Sequence, residues 1–73
     1  MKNILVFKTS VKREADVRRL TPILNDLIAN NDKWNFDLQD CDKILRVESD
    51  QVNSGAIKYL LQEEGYHCIE LED

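Results

Sequence analysis

The residues of this 73-residue chain best suited to hold a metal are Cys41, His67 and Cys68. Two thiolates and an imidazole form a set soft enough for copper or zinc, provided loops bring them within ligand distance. The cysteines are far apart rather than in a C-x-x-C pair, and neighbours such as 67 and 68 point to opposite faces of a strand. The plainer expectation is that Cys68 packs as a small hydrophobe, Cys41 sits in a turn and His67 lies on the surface. A nucleophilic cysteine needs a cation or a helix start beside it. Cys41 is instead flanked by Asp40 and Asp42, whose charge has the wrong sign to favour a thiolate. Carboxylates are paired in Glu63-Glu64 and in Glu70-Leu71-Glu72-Asp73, at a helix end and on a terminal strand, where solvated surface is the natural reading. Gly55 and Gly65 are the only glycines, so no phosphate-cradling loop is available. The expectation is a protein that is not an enzyme and carries no cofactor, with copper or zinc as the alternative.

These residues must be positioned by short elements. The run Lys2 to Lys8 is β-branched and aromatic, which predicts a strand, and it leads into the polar stretch from Thr9 to Lys12. Ile4 and Val6 point one way and Leu5 and Phe7 the other, so both faces are apolar and either pair could meet the core. From about Arg13 the spacing of Val17, Leu20, Leu24, Leu27 and Ile28 predicts an amphipathic helix ending at Asn30-Asn31-Asp32. Thr21-Pro22 interrupts it, and a kink there is preferred to a second helix capped by Thr21. Trp34, Phe36 and Leu38 alternate with polar residues, Asp40-Cys41-Asp42 reads as a turn, and Leu45 and Val47 alternate again. Residues 33–49 therefore make a hairpin. Ser54 is a plausible cap for a second helix bearing Ile57, Leu60 and Leu61, Gly65 is its expected left-handed stop, and Tyr66 to Glu72 forms the last strand with Ile69 and Leu71 inward.

The order strand, helix, strand, strand, helix, strand predicts an α+β ferredoxin-like βαββαβ sandwich as a single domain over residues 1–73, with a four-stranded antiparallel sheet and both helices on one face. The loop after the first strand, the turn at Cys41 and the start of the last strand at His67-Cys68 then share one end of the sheet, where a site is to be sought. Over nearly its full length the chain resembles the heavy-metal-associated domains of small copper chaperones and metal-pumping ATPases. The likeness rests on the element order and on Ser54-Gly55-Ala56-Ile57 through Glu64-Gly65-Tyr66, which is similar to the family's second helix and closing Gly-Tyr. Aligning the family's first-helix apolar positions on Leu20 and Leu24 sets its loop methionine on Val11 and its two cysteines on Arg13 and Asp16. A guanidinium cannot coordinate a metal and one hard carboxylate does not replace a thiolate. The resemblance thus implies a fold that has lost its ligand pair, leaving a protein-interaction or regulatory role. Arg13 and Asp16 could instead form an exposed ion pair on the first helical turn.

Composition narrows the partners. The chain is 42% hydrophobic and 33% charged, as in a globular domain, and a chain this short buries only about 60% of its unfolded surface. A net charge of -4 argues against nucleic acid, and Ile4-Leu5-Val6-Phe7 is far short of the ~20 apolar residues of a membrane span. A cytoplasmic protein with reduced thiols is expected. Residues 1–24 carry +4 and residues 25–73 carry -8, which gathers Lys8, Lys12, Arg13, Arg18 and Arg19 near the first loop; such asymmetry acts mainly on association kinetics. Whichever pair of the first strand lies away from the helices, Leu5 with Phe7 or Ile4 with Val6, leaves an apolar strip beside Ile44, with Arg46 and Glu70 as polar neighbours. Binding to another protein or to a second copy is the leading functional expectation, with Leu5, Phe7, Arg13 and Asp16 as candidate contact residues and that face as one route. The edge of the hairpin's first strand is a second route.

Overall fold

A computed structural model describes residues 3–28 and 32–71. The elements are β1 (Asn3–Thr9), α1 (Glu14–Leu27), β2 (Lys33–Asp37), β3 (Ile44–Ser49), α2 (Ser54–Glu63) and β4 (Cys68–Leu71). They form one antiparallel sheet in the order β2-β3-β1-β4, the split βαβ, ferredoxin-like arrangement expected from the sequence. The proposed starts and ends at residues 2, 29–31 and 72 lie outside the described residues.

The register fixes which side chains share a face. Phe7 stands opposite Leu45, and Leu5 opposite Val47. Phe7, Leu45 and Val47 are fully buried in one cluster with Leu20, Leu24, Ile28, Ile57, Leu61 and Cys68, and Leu5 packs against it. Both helices therefore cover the Leu5/Phe7 side, and burial of each large apolar side chain contributes about 1.5–3 kcal/mol. This corrects the expectation that Leu5 and Phe7 serve as contact residues, since the helices already occupy that side. Ile4 and Val6 take the open face, with Ile44 and Arg46. Ile69 and Leu71 are likewise outward rather than inward: they pair with Lys8 and Val6, and both are exposed. Strand alternation then turns Cys68 and Glu70 to the helix side, so Glu70 does not border the open face.

Local chemistry explains the helices. α1 is continuous through Pro22, with the Thr21 hydroxyl donating to the Val17 carbonyl at 2.7 Å. Pro22 is exposed, so the carbonyl of Arg18, which loses its helical donor, also faces solvent. The cap of α2 is Asn53 rather than Ser54: its side chain accepts from the Ala56 amide at 2.8 Å, and Ser54 is already helical. At the other end Tyr66 N–H donates to the Leu61 carbonyl and Gly65 N–H to that of Gln62, a Schellman closure with Gly65 at φ +93°. Ser49, almost fully buried, accepts from the amides of Gln51 and Val52 and donates to Asp32 Oδ2, which turns the chain from β3 toward α2.

A Cβ on Gly65 would meet no atom within 4 Å, so the cost of Gly65→Ala is the left-handed backbone alone. It is expected to be about 1 kcal/mol or more, lowering Tm by at least about 4 °C in a thermal melt followed by circular dichroism. An unchanged Tm would contradict the closure described.

Candidate functional site

The end of the sheet predicted to carry a site is assembled from three segments tied together by hydrogen bonds. Thr9 ends β1; its hydroxyl donates to the Lys43 carbonyl at 2.7 Å and accepts from the Val11 amide. Ser10 and His67 are linked twice, Ser10 N–H to the His67 carbonyl at 3.2 Å and His67 N–H to Ser10 Oγ at 2.9 Å. The hairpin turn is shaped by its own acids: Asp37 Oδ1 accepts from the amides of Gln39 and Asp40, and Asp40 Oδ1 from that of Asp42. Lys43 closes it at φ +50°, with its ammonium on the Leu38 carbonyl at 2.9 Å. Lys8 pairs with Asp42 across the sheet at 3.6 Å, with both side chains about half exposed, a contact worth a few tenths of a kcal/mol.

The three candidate ligands are at this end but are not gathered into one site. Among the described residues, the only set of three or more His, Cys, Asp or Glu whose ligand atoms lie within 4.8 Å of one another is Asp40, Cys41 and Asp42. That set pairs one exposed thiol with two hard carboxylates, one of them bonded to the turn's backbone and the other to Lys8, and so does not suit a soft ion. Cys68 is 2% exposed and belongs to the core; burial pushes its thiol up to about 11, so it is protonated at neutral pH. His67 is exposed.

Arg13 and Asp16 make no ion pair. Arg13 is the N-cap residue of α1, its carbonyl accepting from the amides of Asp16 and Val17. The Asp16 carboxylate accepts from the Tyr66 hydroxyl at 2.9 Å. Desolvation, with that bond and the carboxylate's charge, raises the Tyr66 phenol above its usual value. Arg19 sits over the Tyr66 ring at 5.8 Å and bonds the carboxylate and carbonyl of Glu64, so part of the basic patch is engaged within the fold. Of this network the sequence offered only the Gly-Tyr pair as a signal, because nothing in the spacing links Asp16 to a residue 50 positions on.

Two surface features give form to the binding routes expected from the sequence. On the open face Val6 stands between Arg46 of β3 and Leu71 of β4, with Ile4 beside it and Ile44 and Ile69 flanking Lys8. Ile4 and Ile69 are each 58% exposed, whereas Ile44 is buried. Beside edge strand β2, a groove opens toward α1, walled by Val17, Trp34, Phe36 and Leu38. Trp34 and Phe36 stack edge to face at 5.9 Å, and the Trp34 indole N–H donates to Asn25 Oδ1 at 3.0 Å. The period of Trp34 and Phe36 was legible as a buried face, but it does not reveal that α1 leaves that face half covered.

The thiols give a direct check. A maleimide at pH 7.5 is expected to label Cys41 and leave Cys68 unlabelled until the protein is unfolded. Because the folded Cys68 thiol ionises at higher pH than an unfolded one, folding stability from this group is intact below about pH 9 and falls as pH rises toward 11. Denaturant titrations at pH 8 and 10.5 are expected to show that loss in the wild type and a smaller one in Cys68→Val. Equal labelling of both cysteines in the native protein would contradict the placement.

No helix among the described residues is long and apolar enough to cross a membrane. Comparisons with protein-family models, curated proteins and solved structures find no match, so the likeness to heavy-metal-associated domains rests on sequence pattern and element order alone.

Proposed function

We propose that the chain is a non-enzymatic protein-interaction module of the cytoplasm that binds through the open face of its sheet, and that the partner is a second copy of the chain. The observation that carries this reading is the apolar patch centred on Val6. Four of its members, Ile4, Val6, Ile69 and Leu71, come from the two adjacent strands β1 and β4, and Ile44 adjoins them from β3. Of these Ile4, Ile69 and Leu71 are exposed, Val6 is half-buried and Ile44 is buried. Neighbouring exposed aliphatic side chains on a chain that is 33% charged have a different meaning from scattered single hydrophobes.

Self-complementarity favours the second copy. Arg46 and Glu48 border the patch on the same face of β3, opposite Val6 and Ile4 respectively. One border thus offers both signs of charge, and a two-fold axis lets each copy set its cation against its partner's anion while the aliphatic residues meet. The patch is small, so the interface belongs to the low end of specific contacts, below about 1,200 Å² in total. Association is expected to be weak and reversible. No geometric observation favours the soft-metal reading through Cys41, His67 and Cys68.

Sedimentation equilibrium up to about 1 mM is expected to show a monomer–dimer equilibrium with a dissociation constant on the order of 100 µM. Ile69→Lys, at an exposed position, is expected to keep the protein monomeric across that range, as is Val6→Glu, whereas Lys12→Glu should leave association unchanged. A wild type that remains monomeric at the highest concentration, or an Ile69→Lys variant that associates as the wild type does, would overturn the reading.

A further inference from the structure

We infer that edge strand β2 is a docking site for an extended segment of another protein, which adds to the sheet as a fifth, antiparallel strand. Among the described residues β2 pairs only with β3, so along its five residues the backbone N–H and C=O groups that do not point to β3 are left on its outer edge. This surface meets the open-face patch only at its charged border, Arg46 and Glu48; the exposed aliphatic residues of the patch lie on β1 and β4.

The space beside that edge has the form of a missing strand. On the helix side is the groove between α1 and β2, about 620 Å³, whose apolar walls are Val17, Trp34, Phe36 and Leu38. A second hollow, about 660 Å³, wraps the edge onto the open face between Lys33, Asn35, Arg46 and Glu48. The two hollows share Trp34 and Asn35. A strand laid along β2 sends alternate side chains into one and then the other, as the two-residue period requires.

β3, already paired to the other edge of β2, supplies the recognition pattern. Its Leu45 and Val47 stand opposite Phe36 and Trp34, and its Glu48 stands opposite Lys33. An incoming antiparallel strand meets the same β2 residues from the other side, so it needs two apolar residues, one apart, facing Phe36 and Trp34. It also needs an acid facing Lys33 and a base facing Asp37, whose carboxylate is exposed at the far end of the strand. The ligand is therefore an extended peptide reading, from its N-terminus, base, apolar, any residue, apolar, acid. The apolar pair lodges against the Trp34–Phe36 stack, and the terminal charges fix direction and register.

A synthetic peptide reading lysine, leucine, arginine, valine, glutamate, with a serine at each end and both termini blocked, tests this with the intact protein. Trp34 is the only tryptophan, so its fluorescence reports on the groove directly. Titration is expected to give a saturable fluorescence change, with amide NMR shifts concentrated on residues 33–37 and Val17. A peptide with serine in place of leucine and valine should give neither. Lys33→Glu, at an exposed position, is expected to weaken binding roughly fivefold, and replacing the peptide's glutamate with lysine should restore it to that variant. Absence of a saturable change up to about 2 mM peptide would overturn the inference. So would shifts centred on Ile4, Val6 and Ile69, or a Lys33→Glu variant that binds both peptides as the wild type does.

Discussion

β1 lies at the centre of the sheet, and its apolar run Ile4-Leu5-Val6-Phe7 alternates between two faces of which only one is covered. Two helices on one side of four strands bury a single parity, so one apolar pair of β1 must be left outside the core. The pair that goes inside is set by its neighbours: Leu45 and Val47 on β3 and Cys68 on β4 share the parity of Leu5, Phe7 and Thr9. Every other placement follows. Leu20, Leu24, Ile57 and Leu61 pack onto that side, Trp34 and Phe36 extend it to the β2 edge, and Ile4, Val6, Ile69 and Leu71 are left facing outward.

The same constraint explains why the end of the sheet that gathers the chemically capable residues is occupied by structure. Cys68 shares the buried parity, so its thiol is a core group with its proton held on by desolvation. The Ser10 amide and hydroxyl are bonded to the backbone of His67, whose imidazole stays exposed, the Thr9 hydroxyl is bonded to the turn at Lys43, and the Asp16 carboxylate to Tyr66. No buried side-chain nitrogen or oxygen among the described residues lacks a partner. Groups committed in this way stabilise a loop junction, and the exposed chemistry shifts to the sheet's open face and its β2 edge.

Much of this was legible in the sequence, for a physical reason. The hairpin of β2 and β3 carries clean alternation at Trp34, Phe36, Leu45 and Val47, and Gly65 follows the last apolar turn of α2 where a left-handed residue is needed. β4 misleads because its outward residues, Ile69 and Leu71, are more apolar than its inward ones, Cys68 and Glu70. Parity in a four-residue edge strand is set by pairing with β1 and is not readable from hydropathy. Asn53 and Ser54 are both good caps, and only the backbone decides between them. Arg13 and Asp16 sit at ion-pair spacing, but a distant Tyr66 hydroxyl takes the carboxylate. The groove along β2 had no signature because it depends on how α1 crosses the sheet.

The face assignment of β1 and β4 is the claim on which both binding surfaces rest. Methyl NMR of the dilute, monomeric protein with a soluble paramagnetic agent tests it in one spectrum, because relaxation enhancement scales with solvent exposure. The methyls of Ile4 and Ile69 are predicted to be strongly broadened, with Leu71 next, while those of Leu20, Leu45, Val47 and Ile57 stay sharp. Sharp signals from Ile4 and Ile69 alongside broadened Leu45 and Val47 would show that the opposite parity is buried and would contradict the account.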